Sequence, residues 1–274
     1  MRDLSLKRFK RKTIIIDLIL LLLAGYLIYA LRFSSGVRDL DVIRSKGFLR
    51  VAIRDNQIDY MYRGDSIAGF QYELIRDLCD NELHVKPKFI RVRSLHAAIS
   101  DLLDGKVDII AQNIPLTSET KQSLTISYPI LISRAVLVQR KDSNGKGNIT
   151  NQLELGKQQV TLSKGSYYIQ LIRHLAHEMS DTIYINQMNV YDSEELILLV
   201  AKGTIPYAVT DERVAQYFAK RFTGIDVSLP VGFSQQQGWG MNPLTPNFIN
   251  LVNNWLDRFE KTNEFHQLYG KYYN

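Results

Sequence analysis

The sequence predicts an α/β protein of two similar lobes, preceded by one N-terminal transmembrane helix. Three observations predict it. From Phe48 onward, strand-type and helix-type segments alternate, as in layered α/β domains with parallel pairing. One supersecondary plan occurs twice. AISDLLDGKVDIIAQN from Ala98 and ELILLVAKGTIPYAVTD from Glu195 both read as amphipathic helix, Lys/Gly turn, buried strand and polar end. Finally, Thr13 to Leu31 is an almost unbroken apolar run behind a basic flank.

That run, TIIIDLILLLLAGYLIYAL, is 19 residues long with one charge, Asp17. At about 1.5 Å per residue it nearly spans a ~30 Å hydrocarbon core. The preceding residues carry Arg2, Lys7, Arg8, Lys10, Arg11 and Lys12 against Asp3. Positive flanks stay cytoplasmic. We therefore expect a cytoplasmic flank over 1–12 and an anchor over 13–33. The bulk of the chain is then periplasmic, on a single-pass protein of the inner membrane. The competing reading is a signal peptide cut at Ala30, for which Ile28 and Ala30 make a poor small-x-small site. A buried core helix fits badly, because no amphipathic face can be drawn.

The flank also holds most of the formal net charge of +6, leaving the remainder near +1. The alkaline pI therefore belongs to the anchor flank, not to a nucleic-acid surface, and no nucleic-acid partner is expected. The one cysteine, Cys79, sits in an apolar helix pattern and cannot form an intramolecular disulfide. No cysteine follows the apolar run to carry a lipid anchor.

Val37–Lys46 reads as a helical lead-in. Phe48–Ile53 (FLRVAI) is a strand, and Tyr60–Asp65 a strand running into a turn. Gly69–Leu83 spaces Phe70, Leu74, Ile75, Leu78 and Leu83 as one helical face. Pro87–Val92 is a strand. Ser94–Leu103 is a helix capped by Ser94 and stopped at Gly105. Val107–Ala111 is a buried strand. In the second half, Gln159–Leu162, Tyr184–Asn186 and Tyr207–Thr210 are strands, and Tyr167–His177 and Ser193–Ala201 helices. Ser143–Asn151 is a surface loop. Phe248–Phe259 and Glu264–Tyr272 close the chain as helices. The expected divisions are a first lobe over 40–132, a second over 133–238, and a return to the first over 239–274.

Ligand sites in such sheets open at the carboxyl ends of strands. Those ends carry Gln112, Asn113, Thr117, Ser166 and Asp211, so two lobes meeting there would form a cleft. Ser166 reads equally as a ligand hydroxyl or a helix N-cap, and Asp211 as a ligand acid or an N-cap. Of Tyr167 and Tyr168, one suits ring stacking and the other core packing. Trp239, in GWGMN, reads as packing near the second crossover. His174 and His177 lie three apart on one helix, but without the His-Glu-x-x-His pattern of a zincin. No metal site and no cofactor are expected.

Several motifs in order resemble the extracytoplasmic solute-binding proteins of family 3. They are LRVAIRDN, GFQYELIRDLCD, LLDGKVDIIAQNIPLTSETKQSLTISYPI, VTDERVAQYFAK and the ending NEFHQLYGKYY. The resemblance covers about Leu40 to Asn274. It implies a two-lobe periplasmic-binding-protein-like fold of type II, closing on a small ligand. It also implies an aromatic wall at Tyr60, a hydroxyl at Ser166 and an acid for the ligand ammonium at Asp211; Asn113, Thr117 and Tyr167 join them as candidate contacts from their strand-end positions. The family's carboxylate-binding arginine falls on Thr120, and the preceding hydroxyl position on Pro115. The acidic position after the first strand falls on Arg54, or on Asp55 with a one-residue slip. Arg54 and Lys121 are thus the substitute cations for a ligand carboxylate.

Within the family, IDYMYRGDSIAGFQYEL and DIIAQNIPLTSETK are most similar to the sensor-like domain of F-type membrane-bound lytic transglycosylases. Those enzymes use a Glu-Ser pair in a further catalytic domain, and this chain contains no Glu-Ser dipeptide. The catalytic half is expected to be absent and the chain not to be an enzyme. The expected function is a membrane-anchored periplasmic binding or sensor domain for a cell-wall fragment, peptide or amino-acid-like ligand. Two alternatives stand beside it: a regulatory or relic member of the transglycosylases, partnering a peptidoglycan enzyme, and a receptor serving an ABC permease.

Overall fold

The computed structural model describes residues 17, 19–26, 36–190 and 193–273. The predicted anchor therefore lies largely outside the described residues. Within it, Asp17 and residues 19–26 are helical. Among the described residues no helix is long and apolar enough to cross a membrane.

The first lobe opens with α1 (Leu40–Lys46), capped by Asp39, whose carboxylate accepts from the Leu40 amide. Next come β1 (Phe48–Ile53), a hairpin of β2 (Met61–Arg63) and β3 (Ser66–Ala68), α2 (Phe70–Asp77), β4 (Lys86–Arg91), α3 (Leu95–Leu103) and β5 (Ile109–Pro115). The helical face predicted over Gly69–Leu83 is observed in two parts, because α2 runs into a π-helical turn over Leu78–Leu83. Ser94 caps α3 by accepting from the Ala97 amide. A short α4 (Thr120–Ser123), β6 (Thr125–Ile126) and β7 (Leu131–Ser133) finish the first passage.

The second lobe holds β8 (Ala135–Arg140), β9 (Gln159–Ser163), α5 (Tyr168–Glu178), β10 (Tyr184–Met188), α6 (Ser193–Ala201), β11 (Tyr207–Asp211), α7 (Glu212–Ala219) and β12 (Ile225–Asp226). The chain then returns as β13 (Gln235–Met241), α8 (Pro246–Phe259) and α9 (Asn263–Tyr273).

The first sheet has the order β4-β1-β5-β13-β6, with β7 also paired to β13; the second has the order β10-β9-β11-β8-β12. In each, the three strands of the repeated plan are parallel, and the crossing strands β13 and β8 are antiparallel to them. Strand pairing puts the return to the first sheet at Gln235, four residues before the expected 239. The polar run Gln235–Gln237 is strand because it pairs with Leu131–Ser133. The first crossing falls at Arg134, between β7 and β8.

The central parallel strands β1 and β5 bury both faces and read as mainly apolar runs. Val51, Ile109 and Ala111 face one cluster, while Ala52, Ile110 and Ile114 face another beneath α3. The first cluster continues into the second lobe through Val136, Val138, Leu196 and Phe218. Gly69 starts α2 at φ 145°, and a Cβ there would lie 2.2 Å from the Asp59 carbonyl oxygen. Only glycine fits this approach, which explains the glycine of the GFQYEL motif. The aromatic ending packs back on the same helix. Phe70 meets the Tyr273 ring at 4.9 Å, and the Tyr272 hydroxyl accepts from the Gly69 amide at 2.8 Å.

Candidate functional site

The carboxyl ends of β1, β5, β9 and β11 converge on a cleft between the lobes. Its free cavity is about 130 Å³, open to solvent at the mouth. Arg54, Gln112, Asn113, Ser166, Tyr167 and Asp211, all singled out from sequence, line it. Asp59, Gln237 and Tyr273 line it as well.

Tyr60, Thr117 and Thr120 are placed elsewhere. Tyr60 is buried among Tyr62, Tyr72 and Phe89, with ring centroids 5.5 to 5.9 Å away. It supports the β2–β3 hairpin instead of forming a cleft wall. Thr120 is buried, and its hydroxyl donates to the Pro115 carbonyl at 2.7 Å. The Thr117 amide in turn donates to Thr120 Oγ1 at 3.1 Å. These bonds close the turn after β5, and a threonine at this position has no charge to offer a carboxylate. Lys121, the neighbouring candidate cation, is exposed.

Arg54 follows β1 directly and enters the cleft. Its Nε is buried without a hydrogen-bond partner, and among the described residues it makes no ion pair. Gln112 Nε2, on β5, is likewise buried and unpartnered. Buried donors left without acceptors are costly, so two of them converging on one cleft mark a place for an acceptor group.

The floor beside them is fixed by a chain of side-chain bonds. Trp239 Nε1 donates to Gln71 Oε1 at 2.6 Å, Gln71 Nε2 to Asn113 Oδ1 at 2.7 Å, and Asn113 Nδ2 to the Tyr273 hydroxyl at 2.9 Å. Asn113 is thereby held in one orientation, with both ends of its amide occupied.

Asp211 ends β11 and combines the two roles its sequence position offered. Its Oδ1 accepts from the Arg213 amide at 2.9 Å, capping α7. The same oxygen accepts from Ser133 Oγ at 2.9 Å, and Oδ2 accepts from Gln237 Nε2 at 2.9 Å. Ser133 and Gln237 sit on β7 and β13, next to the two crossings, so Asp211 ties the second lobe to the hinge. Burial raises its carboxyl above the ordinary value, against the hydrogen bonds of Gln237, Ser133 and the helix amides. Sequence reasoning missed Ser133 and Gln237. The only signal was a hydroxyl and a glutamine flanking the crossovers, which strand periodicity does not mark.

Ser166 also combines roles: its Oγ lines the cleft and accepts from the Tyr168 amide at 3.2 Å. The Tyr167 and Tyr168 rings lie 4.2 Å apart, and burial raises both hydroxyls. Across the rim, Gln57 Nε2 donates to Glu194 Oε1 at 2.8 Å, while Arg221 donates to Gln57 Oε1. These contacts hold the lobes together at the mouth. His174 and His177 are exposed on α5, and among the described residues no group of three His, Cys, Asp or Glu side chains is arranged to hold a metal.

Two α/β lobes joined by two crossings, with polar strand ends facing a shared cleft, define a solute-binding protein. The chain belongs to the bacterial extracellular solute-binding proteins, family 3, whose pattern matches residues 49–274. Curated relatives carry the name membrane-bound lytic murein transglycosylase F. The one from Pseudomonas fluorescens is 24% identical over 236 residues, covering 85% of this chain and 48% of its own. The one from Pseudomonas syringae pv. tomato is 25% identical over 240 residues, covering 85% and 46%. The chain thus spans about half the length of the curated relatives it matches.

Among solved structures, an ancestral amino acid-binding protein, a precursor of cyclohexadienyl dehydratase, superposes with a TM-score of 0.73. It is 26% identical and covers 86% of this chain and 99% of its own. A solute receptor for L-cysteine from Neisseria gonorrhoeae shares the fold at a TM-score of 0.73 and 18% identity, covering 86% and 93%.

Proposed function

We propose that this protein is a non-enzymatic solute-binding domain, tethered to the inner membrane through residues 13–33 and facing the periplasm. Its cleft closes on a small ligand that carries a carboxylate or carbonyl acceptor and an amine. The observation that carries the reading is the convergence of Arg54 and Gln112, each with a buried unpartnered nitrogen, on a cleft whose other side holds Asp211. Arg54 takes the part that an arginine at the Thr120 position plays in the family's amino-acid receptors. A guanidinium entering from β1 instead of from the turn after β5 meets the acceptor from a different direction. A free amino acid, a short peptide and the peptide part of a cell-wall fragment all present such groups. The relatives' name supports the cell-wall fragment; the amino acid-binding neighbour supports the simpler ligand. The relatives' name also favours a second reading, in which the domain senses such fragments for a separate peptidoglycan enzyme. Service to an ABC permease uses the same cleft.

The test begins with a panel of amino acids, short peptides and muropeptides, followed by calorimetric titration of the ligand found. Arg54→Gln is expected to weaken its binding about ten- to a hundredfold, the worth of a hydrogen bond to a charged group at ~1.5–3 kcal/mol. Arg54→Lys should recover part of the loss. Unchanged affinity in Arg54→Gln would remove Arg54 from the site.

A pH prediction follows from Asp211. An amine is held by the carboxylate, so affinity should fall as pH drops through the raised Asp211 value, where binding must release the proton Asp211 has taken up. That loss begins at a higher pH than for an ordinary aspartate. The ligand-free fold responds with the opposite sign. The stability this group contributes is fully present below its unfolded value and is lost as pH rises through the folded one. Titration calorimetry across pH, for the parent and Asp211→Asn, checks the first; the variant should lose that pH dependence.

A further inference from the structure

The chain enters the fold at the end of the first lobe opposite the cleft. The Gly36 carbonyl accepts from Arg50 Nη2 at 2.9 Å, and a Cβ on Gly36 would lie 2.9 Å from the Gly105 carbonyl oxygen. Two residues later, Arg38 pairs with Asp108. Gly36 to Arg38 is thus fixed at the amino ends of β1 and β5. The carboxyl end of β13 arrives at the same place, where Asn242 Nδ2 donates to the Leu102 carbonyl at 3.3 Å. Leu103 and Leu244 stand beside these contacts and are 45% and 51% exposed. Pro243 and Pro246 are exposed alongside.

The cleft groups occupy the other ends of the same strands: Arg54 after β1, Gln112 and Asn113 toward the end of β5, and Gln237 in the first half of β13. Four residues separate Arg50 from Arg54, about 13 Å along a strand. From residue 33, the expected end of the anchor, to Gly36 is three residues, at most ~11 Å when fully extended. So short a connection to a fixed point on the fold holds that end of the lobe against the bilayer.

We propose that the end of the first lobe bearing Gly36, Leu103 and Leu244 seats on the phospholipid headgroup layer of the anchoring membrane, with the ligand cleft opening away from it. The proposal rests on the reading of residues 13–33 as a retained anchor. The leucines are the apolar contacts, and the Arg38–Asp108 pair is the rigid coupling. The seat leaves the cleft mouth and the second lobe free to move as ligand enters.

The full chain, reconstituted in nanodiscs of phosphatidylethanolamine and phosphatidylglycerol with a headgroup nitroxide lipid, tests this. Variants Leu103→Cys, Leu244→Cys and Leu153→Cys, each adding one accessible cysteine, would carry a bimane label. Leu153, in the second lobe, is 72% exposed and serves as the distant reference. The native Cys79 is buried, and burial pushes its thiol up to about 12, so it should not label. The expected result is several-fold stronger quenching at 103 and 244 than at 153, with the parent melting temperature kept in all three. Equal quenching at the three positions, in a chain that co-elutes with the discs, would overturn the seat while leaving the anchor. A chain that does not co-elute overturns the anchor reading and the seat with it.

Discussion

Asp108→Ala should destabilise the protein by about 3–5 kcal/mol, the cost of removing one member of a buried ion pair. For a domain of this size that is a fall of roughly 6–20 °C in melting temperature. The Asp108 side chain is fully buried. Its Oδ1 accepts from Arg38 Nε at 3.0 Å and Arg50 Nη2 at 2.7 Å, and its Oδ2 from the Arg50 amide at 2.7 Å. Arg38 Nη2 bonds it as well. Alanine leaves two largely buried guanidinium groups facing each other with no counter-charge, and orphans a backbone amide at the start of the first sheet. Asp108→Asn keeps the volume and one acceptor, so it should cost less. Thermal unfolding followed by circular dichroism checks both. A loss under 1 kcal/mol for the alanine variant would show that water or a rearranged loop replaces the carboxylate. The aspartate of the DGKVD turn is therefore a structural residue that happens to sit in a family motif.

Trp239→Ala is expected to cost about 3–5 kcal/mol, the range for truncating a buried large aromatic. Trp239 is fully buried and stacks on Trp255 with ring centroids 5.9 Å apart. It also supplies the first donor of the chain running through Gln71 and Asn113 to Tyr273. Its loss should therefore weaken ligand binding in addition to stability. Trp239→Phe separates the two effects. It retains most of the packing but leaves Gln71 Oε1 without its donor, at about 1–3 kcal/mol. Urea unfolding gives the stability change, and titration with the ligand gives the effect on the cleft.

The parallel strands and their helices were legible because each obeys a local rule. FLRVAI and VDIIA are apolar runs whose alternate residues enter two different cores. Ser94 caps α3, and Gly69 is dictated by the approach of the Asp59 carbonyl. The strands β6, β7, β8 and β13 were not legible in the same way. SQQQGWGM carries glutamines and glycines, poor strand formers, and becomes a strand only through pairing with β5 and β7, residues distant in sequence.

The site divides less cleanly. Of the residues placed by strand ends, Gln112, Asn113, Ser166 and Asp211 reach the cleft and Thr117 does not; of those placed by family register, Arg54 reaches it and Thr120 does not. The two threonine hydroxyls bond each other, and that of Thr120 bonds the Pro115 carbonyl. The hinge partners of Asp211 come from two antiparallel strands that no periodicity announced.

The most direct test of a working cleft is thermal unfolding of the full chain in detergent against the panel of amino acids, short peptides and muropeptides. A ligand at 100 times its Kd should add about 2.7 kcal/mol, a rise of several degrees, and the rise should shrink in Arg54→Gln. A well-folded protein whose melting temperature no member of the panel moves would contradict a cleft built to bind a small acceptor-bearing solute.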